Sequence, residues 1–324
     1  MKKTNSKKRT NNFLCDISKP IKVTEMGNIT ELLYMSNRNT KATIKMLEGG
    51  HQYIELSTGE IKDVIHHQSR IEQLKSLYRT FRSLRNLINT NITNVKNVRW
   101  ITLTYRENMR DTTRLYNDFE KFNKRFQYYI KKLGYNKAEY IVVPEPQGRG
   151  AWHMHLIYIF DKQAPFIDND SVLAPMWRQG FTKTKSLKEV DNVGAYLTAY
   201  LGDIAVDELE DNPQLLVDFV NSKSFGGELN LNLGTVKEIE VANENGQKIK
   251  KRYVKGGRLV FYPSNFRIYR TSRGIKRPTE HMMMYDNAIE FVKGQKLIYE
   301  KTSFLSDAST EFESVVNKRH YSKI

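Results

Sequence analysis

The sequence holds a single cysteine, Cys15, among its 324 residues, which excludes an intramolecular disulfide framework and any cysteine-rich zinc site. Long apolar runs are missing too. Nothing approaches the length of a membrane span, and the N-terminus lacks the apolar core of a signal peptide, so a cytoplasmic protein with no membrane partner is expected. No glycine-rich phosphate loop of the GxxxxGKS or GxxxxGKT type occurs, so no helicase motor is expected within the chain. Acidic residues are outnumbered, 36 Asp and Glu against 52 Lys and Arg, which leaves a net charge of +16 and a pI near 9.6. So strong a basic excess favours a polyanionic partner, nucleic acid first.

What is present centres on residues 151 to 160, AWHMHLIYIF, a short apolar run of strand-like composition with two histidines two residues apart. Strand side chains alternate faces, so His153, His155, Ile157 and Ile159 share one face and Trp152, Met154, Leu156 and Tyr158 the other, where they can form a continuous core. Two neutral imidazoles so placed can grip one divalent ion, and a hard ion also takes an oxygen ligand. Glu145 supplies one. Residues Tyr140 to Val143 read as the preceding strand and Pro146 to Gly150 as a turn. A hairpin folding about Gly148 to Gly150 brings Glu145 opposite His153, at a Cβ separation of ~5 Å. Glu145, His153 and His155 are therefore a candidate metal set, although a His-x-His pair alone reads equally as two half-buried or surface histidines.

Residues 191 to 203 read as a short helix, with Asp191 as N-cap and Gly202 as stop. Tyr196 and Tyr200 lie four apart on it, one turn from each other on one face, so two phenols can reach a single point. The same spacing also serves core or rim packing.

Together, the strand from Trp100 to Tyr105 with its Thr102-Leu103-Thr104 core, the histidine pair and the Tyr196-x-x-x-Tyr200 helix resemble the three-motif layout of a known family. This is the HUH endonucleases that initiate rolling-circle replication of plasmids and single-stranded DNA phages, in their two-tyrosine branch. The resemblance covers residues 97 to 203, about a third of the chain. It implies that His153 and His155 are metal ligands with Glu145 as the third, that Mg2+ or Mn2+ is the cofactor, and that Tyr196 and Tyr200 are the nucleophile pair. The reaction implied is nicking and rejoining of single-stranded origin DNA through a 5′-phosphotyrosine, with helicase and polymerase supplied by the host. The family's lysine three residues after a tyrosine is absent, since those positions are Ala199 and Asp203.

Along the chain, residues 1 to 12 carry Lys2, Lys3, Lys7, Lys8 and Arg9 among polar residues and read as a disordered basic arm. Residues 13 to 96 form an N-terminal region with a possible strand near Tyr53 to Leu56. Its clearest feature is an amphipathic helix over 69 to 88, with Phe81, Leu84, Leu87 and Ile88 in its apolar stripe and five arginines and lysines elsewhere. The nuclease-like domain spans 97 to 277 with an insertion at about 204 to 257. A helix with Leu115, Phe119, Phe122, Phe126, Tyr129 and Leu133 in its stripe follows the first strand and ends at Gly134. The expected fold class is α+β, an antiparallel ferredoxin- or RRM-like sheet with helices on one face and the other face open to nucleic acid. Residues 258 to 262 suit a strand returning to that sheet. Beyond them Arg267, Arg270, Arg273, Lys276 and Arg277 alternate with aromatics, as a single-strand groove requires, and are candidate DNA contacts. Residues 278 to 324 are a C-terminal extension whose His281 and His320 read as structural or surface residues.

Three other readings share part of this pattern. A relaxase uses the same chemistry, but its tyrosine precedes its histidines. A transposase of the HUH type keeps the order seen here. A non-catalytic single-stranded DNA-binding module with an RRM-like sheet would need neither metal nor tyrosine.

Overall fold

A computed structural model describes residues 16–38, 44–56, 58–64, 74–147, 150–187, 192–206, 236–242, 248–254, 258, 262–263, 266–307 and 312–323. The basic arm at 1 to 12 lies outside them. The chain divides into two compact units, Met1–Val64 with Pro278–Ile324, and Ile65–Arg277. The helix grouped above with the N-terminal region thus falls in the second unit, and the C-terminal extension joins the first.

The chain opens with strands β1 (Ile21–Met26) and β2 (Ile29–Met35), followed by a small antiparallel sheet of β3 (Ile44–Met46), β4 (Gln52–Glu55) and β5 (Ile61–Asp63). The second unit then begins with α1 (Leu74–Asn91). Its order is β6 (Val98–Thr104), α2 (Thr112–Lys132), β7 (Glu139–Pro146), β8 (Trp152–Ile159), α3 (Ala174–Trp177), β9 (Thr182–Lys185) and α4 (Val193–Gly202). An excursion of β10 (Ile204–Ala205), β11 (Val236–Ala242) and β12 (Lys248–Val254) forms a separate three-stranded sheet, and β13 (Arg270–Thr271) returns to the main one. The first unit resumes with β14 (Thr279–Met283), α5 (Tyr285–Phe291), β15 (Lys296–Asp307) and β16 (Phe312–Ser322).

In the first unit the sheet runs β14-β1-β2-β16-β15, antiparallel throughout, so residues from both ends of the chain alternate within it. Ile21, Val23, Leu32 and Tyr34 pack with Ala288 and Val292 into its core. In the second unit the order is β13-β7-β8-β6-β9, again antiparallel. Because β6 and β7 both run opposite to β8, they are parallel to each other, and α2 is the crossover between them. That is the split β-α-β arrangement expected from the order of elements, and the α+β class holds. The strand that extends the sheet edge is β13, not residues 258 to 262, of which 259 to 261 lie outside the described residues.

Sequence explains α2 closely. Asp111 caps it by accepting from the backbone N–H of Thr113 at 2.8 Å and of Arg114 at 3.2 Å, and Gly134, at φ +76°, closes it. Leu115, Phe119, Phe122 and Phe126 are buried as their spacing demands, but the next buried residue is Ile130, while Tyr129 is half-buried and Leu133 exposed. A 3.5-residue stripe drifts around a 3.6-residue helix, so the core side moves by one position after four turns. The rings of α2 meet the face of Tyr140 and Tyr158, at 5.2 Å for Phe119–Tyr140 and 4.2 Å for Phe126–Tyr158.

The opposite face carries His153 and His155. Alternation predicts that it lies open, but Trp100, Ile141, Val143 and Ile157 on that face are all buried, as are Glu145 and His155. They join one core cluster that also takes in Leu84 and Ile88 of α1 and Val193 and Leu197 of α4. The histidine face is therefore covered along these residues.

Candidate functional site

Cross-strand register places Glu145 directly opposite His153, with Val143 opposite His155. On the other side of β8, Thr104 faces His153 and Thr102 faces His155. Two histidines, one glutamate and the two threonines of residues 102 to 104 therefore share one face of three adjacent strands. The turn that sets this register is closed by Gln147 N–H to Ala151 O and Gly150 N–H to Gln147 O, each 2.8 Å. Gly150 sits at φ +81°, where L side chains are strained; Gly148 and Arg149 lie outside the described residues.

His155 and Glu145 are in direct contact, Nε2 to Oε2. On the other side of the imidazole, Nδ1 receives the indole N–H of Trp100 at 3.2 Å. Indole only donates, so Nδ1 accepts, the ring proton sits on Nε2, and Nε2–H donates to Glu145. The Thr102 hydroxyl stands 3.2 Å from the same Nδ1 and can accept from it in the other tautomer. The second carboxylate oxygen of Glu145 is held by Nε of Arg258 at 2.9 Å. Arg258 is itself buried, and it also donates from Nη1 to the Pro146 carbonyl at 3.0 Å and from Nε to the Asp203 carbonyl at 3.3 Å. Burial alone would raise the pKa of Glu145, but His155 and Arg258 outweigh it and hold the carboxylate at about 2. The site keeps its negative charge at any working pH.

The donor set, two imidazoles and an ionised carboxylate in cross-strand register, has the chemistry of a divalent-cation site. As placed, its members close on one another. Among the described residues no group of three or more His, Cys, Asp or Glu side chains is gathered in a metal-holding arrangement. One oxygen of Glu145 is engaged by His155 and the other by Arg258.

The tyrosine helix α4 is anchored at its start. Asp191 lies outside the described residues, and the cap is Asn192, whose Oδ1 accepts from the Ala195 N–H at 2.8 Å. Asn89, buried on α1, donates to that Oδ1 at 3.0 Å and accepts from the Gly194 N–H at 2.7 Å. A Cβ at Gly194 would strike the Arg85 carbonyl and the Asn89 amide, so glycine is what permits this close approach. Tyr196 is exposed on α4, and the side chain of Tyr200 lies outside the described residues. The end of this helix is linked to Glu145 through Arg258 and Asp203.

The basic segment lies along the β7 edge of the sheet. Arg267, Arg270, Arg273, Lys276 and Arg277 are all exposed, and three of them line a cleft of about 690 Å3 with Phe119, Tyr140 and Tyr269. The aromatics of the segment are turned to packing rather than presented for stacking. Phe266 stacks on Trp152 at 4.7 Å, Tyr269 shares a hydrogen bond with Ser83 at 2.9 Å, and Arg270 covers the Tyr116 ring at 3.2 Å. Of the remaining histidines, His281 pairs with Glu25 near the surface and His320 is buried against Glu31. Trp100, Asn89 and Arg258 are the residues of the site that sequence reasoning missed.

With this geometry in view, one comparison locates the chain. Residues 98–204 match the replication-associated protein ORF2 family. The matched stretch runs from β6 through the histidine hairpin to the end of α4, so it contains Glu145, both histidines and both tyrosines. It supports a replication initiator type of protein. No curated protein and no solved structure matches the chain. No described helix is long and apolar enough to cross a membrane.

Proposed function

We propose that this protein initiates rolling-circle replication by nicking and rejoining single-stranded origin DNA in the host cytoplasm. The observation that carries the reading is the register of β6, β7 and β8, which sets Glu145, His153 and His155 on one face inside the stretch matched to the replication-associated family. A Mg2+ or Mn2+ held by Glu145, His153 and His155 would neutralise charge developing on the scissile phosphate. The phenolic oxygen of Tyr196 or Tyr200 attacks phosphorus, the bond to the 3′ oxygen breaks, and that oxygen takes up a proton. The products are a 5′-phosphotyrosine and a free 3′-hydroxyl, which primes a host polymerase behind a host helicase. Attack by a 3′-hydroxyl on the phosphotyrosine reverses the step, and a second tyrosine one turn away allows a second transfer. Arg267, Arg270, Arg273, Lys276 and Arg277 bind the strand through its phosphates. A transposase of the HUH type would use the same groups.

One observation favours a second reading, a non-catalytic single-stranded DNA-binding protein: Glu145 is already closed by His155 and Arg258. A single experiment separates the two. Protein, Mn2+ and an origin-bearing single strand are incubated, and a denaturant-resistant protein–DNA adduct is sought with wild type, Tyr196→Phe, Tyr200→Phe, the double variant and a chelator control. A metal-dependent adduct lost in the double variant supports the nuclease. Binding that is equal in chelator, with no adduct, supports the second reading.

A further inference from the structure

We infer that Arg258 is a positioning residue that ties the tyrosine helix to Glu145, and that a divalent ion competes with it for that carboxylate. The inference rests on the metal-assisted reading of the site. One guanidinium reaches three groups: Glu145 Oε1 at 2.9 Å, the Asp203 carbonyl at 3.3 Å and the Pro146 carbonyl at 3.0 Å. Asp203 directly follows Gly202, the last residue of α4, and Pro146 directly follows Glu145. The side chain therefore spans the residue after the helix and the residue after the carboxylate. A planar fork with several N–H donors suits such a span, and an ammonium on a flexible stem does not.

The charge balance makes the tether sensitive to metal. Glu145 and Arg258 are both buried and neutralise each other. An ion brought to the same carboxylate places two further positive charges beside the guanidinium, where solvent screens them poorly. Binding of the ion therefore loosens Arg258 from Glu145, and by reciprocity Arg258 weakens binding of the ion by the same factor. The end of the tyrosine helix is held to the site when the ion is absent and gains freedom when it is bound. Arg258 follows an insertion that separates it from the helix by more than fifty positions, so no local motif announces it.

The test uses the full chain without DNA. Mn2+ binding is measured by titration calorimetry and by Mn2+ electron paramagnetic resonance for wild type, Arg258→Met and Arg258→Lys, with adduct formation measured separately. Arg258→Met is expected to bind Mn2+ about tenfold more tightly. Arg258→Lys keeps the charge and is expected to bind it within about twofold of wild type. Both variants are expected to form adduct about tenfold more slowly, because neither spans the two carbonyls. Tighter metal with slower chemistry is a signature that loss of structure does not produce. If Arg258→Met does not melt cooperatively, Arg258→Gln takes its place. Mn2+ binding by the neutral variant no tighter than wild type overturns the competition, and wild-type adduct rates in Arg258→Lys overturn the tether. Absence of any adduct in wild type would count against the nuclease instead, and the Mn2+ isotherms would still decide the competition.

Discussion

Each unit buries a glutamate, a histidine and a cation together across antiparallel strands. In the first, Glu31 on β2 pairs in register with His320 on β16, and its Oε2 accepts from His320 at 3.0 Å and from Lys318 at 2.6 Å. In the second, Glu145 meets His155 and Arg258. The ingredients are alike and the settings differ. Lys318 comes from the same strand as His320, and the imidazole leans on the Tyr299 ring at 5.0 Å, so that cluster closes within neighbouring strands of its sheet. Around Glu145 there is a second imidazole directly across the strand, an indole aimed at the first, and a guanidinium that also touches the residue after the tyrosine helix. A buried Glu–His–cation cluster is thus no site by itself. The second donor, and the tie to an element bearing nucleophiles, make the difference.

The comparison can be broken most forcefully on the structural side. Glu31→Ala removes the acceptor shared by Lys318 and His320 and is expected to cost about 3–5 kcal/mol in urea unfolding. A smaller loss would mean that the first cluster is not what holds its strands together.

Acid titration addresses the second cluster. The folded-state pKa of Glu145 lies near 2, below its ordinary value of 4.5. Its contribution to stability is therefore fully present above about pH 4.5 and is lost as pH falls through about 2. In chelator, wild type is expected to exceed Glu145→Gln by on the order of 3 kcal/mol near neutrality, with the gap closing across that acidic window. A gap independent of pH would remove the charge from the account.

Finer still, Trp100→Phe deletes the N–H that sets the His155 tautomer, and is expected to lower Mn2+ affinity and adduct rate about tenfold. The matching change in the first unit, Tyr299→Phe, keeps the ring and should alter neither. The smallest effect belongs to the β7 edge. Replacing Arg267, Arg270 and Arg277 by Ala should weaken single-strand binding severalfold and flatten its salt dependence by about two ion equivalents. An unchanged salt slope would remove that cleft from the DNA path.

What sequence made legible follows from how local each signal is. The hairpin of β7 and β8 was readable because alternation from Trp152 to Tyr158 and the turn from Pro146 to Gly150 leave little choice of register. The tyrosine helix was readable for the same reason, except that its cap is Asn192, fixed by Asn89 from another helix. Trp100 was within reach, since it has the same parity as Thr102 and Thr104 on one strand. Arg258 was not, because its approach to Glu145 depends on how an insertion returns. The first unit was illegible for a related reason: β1 and β2 pair with β14 and β16, some 250 residues or more away, and strand composition does not name a partner. Burial of the histidine face likewise depends on residues that no single segment reveals.

The most direct measurement sets the two clusters side by side. Adduct formation on single-stranded DNA with Mn2+ is compared in Glu145→Gln and Glu31→Gln, at a temperature below both melting transitions. The account predicts that Glu145→Gln loses adduct by at least about 100-fold while Glu31→Gln stays close to wild type. Equal loss in both, or full activity in Glu145→Gln, would contradict it.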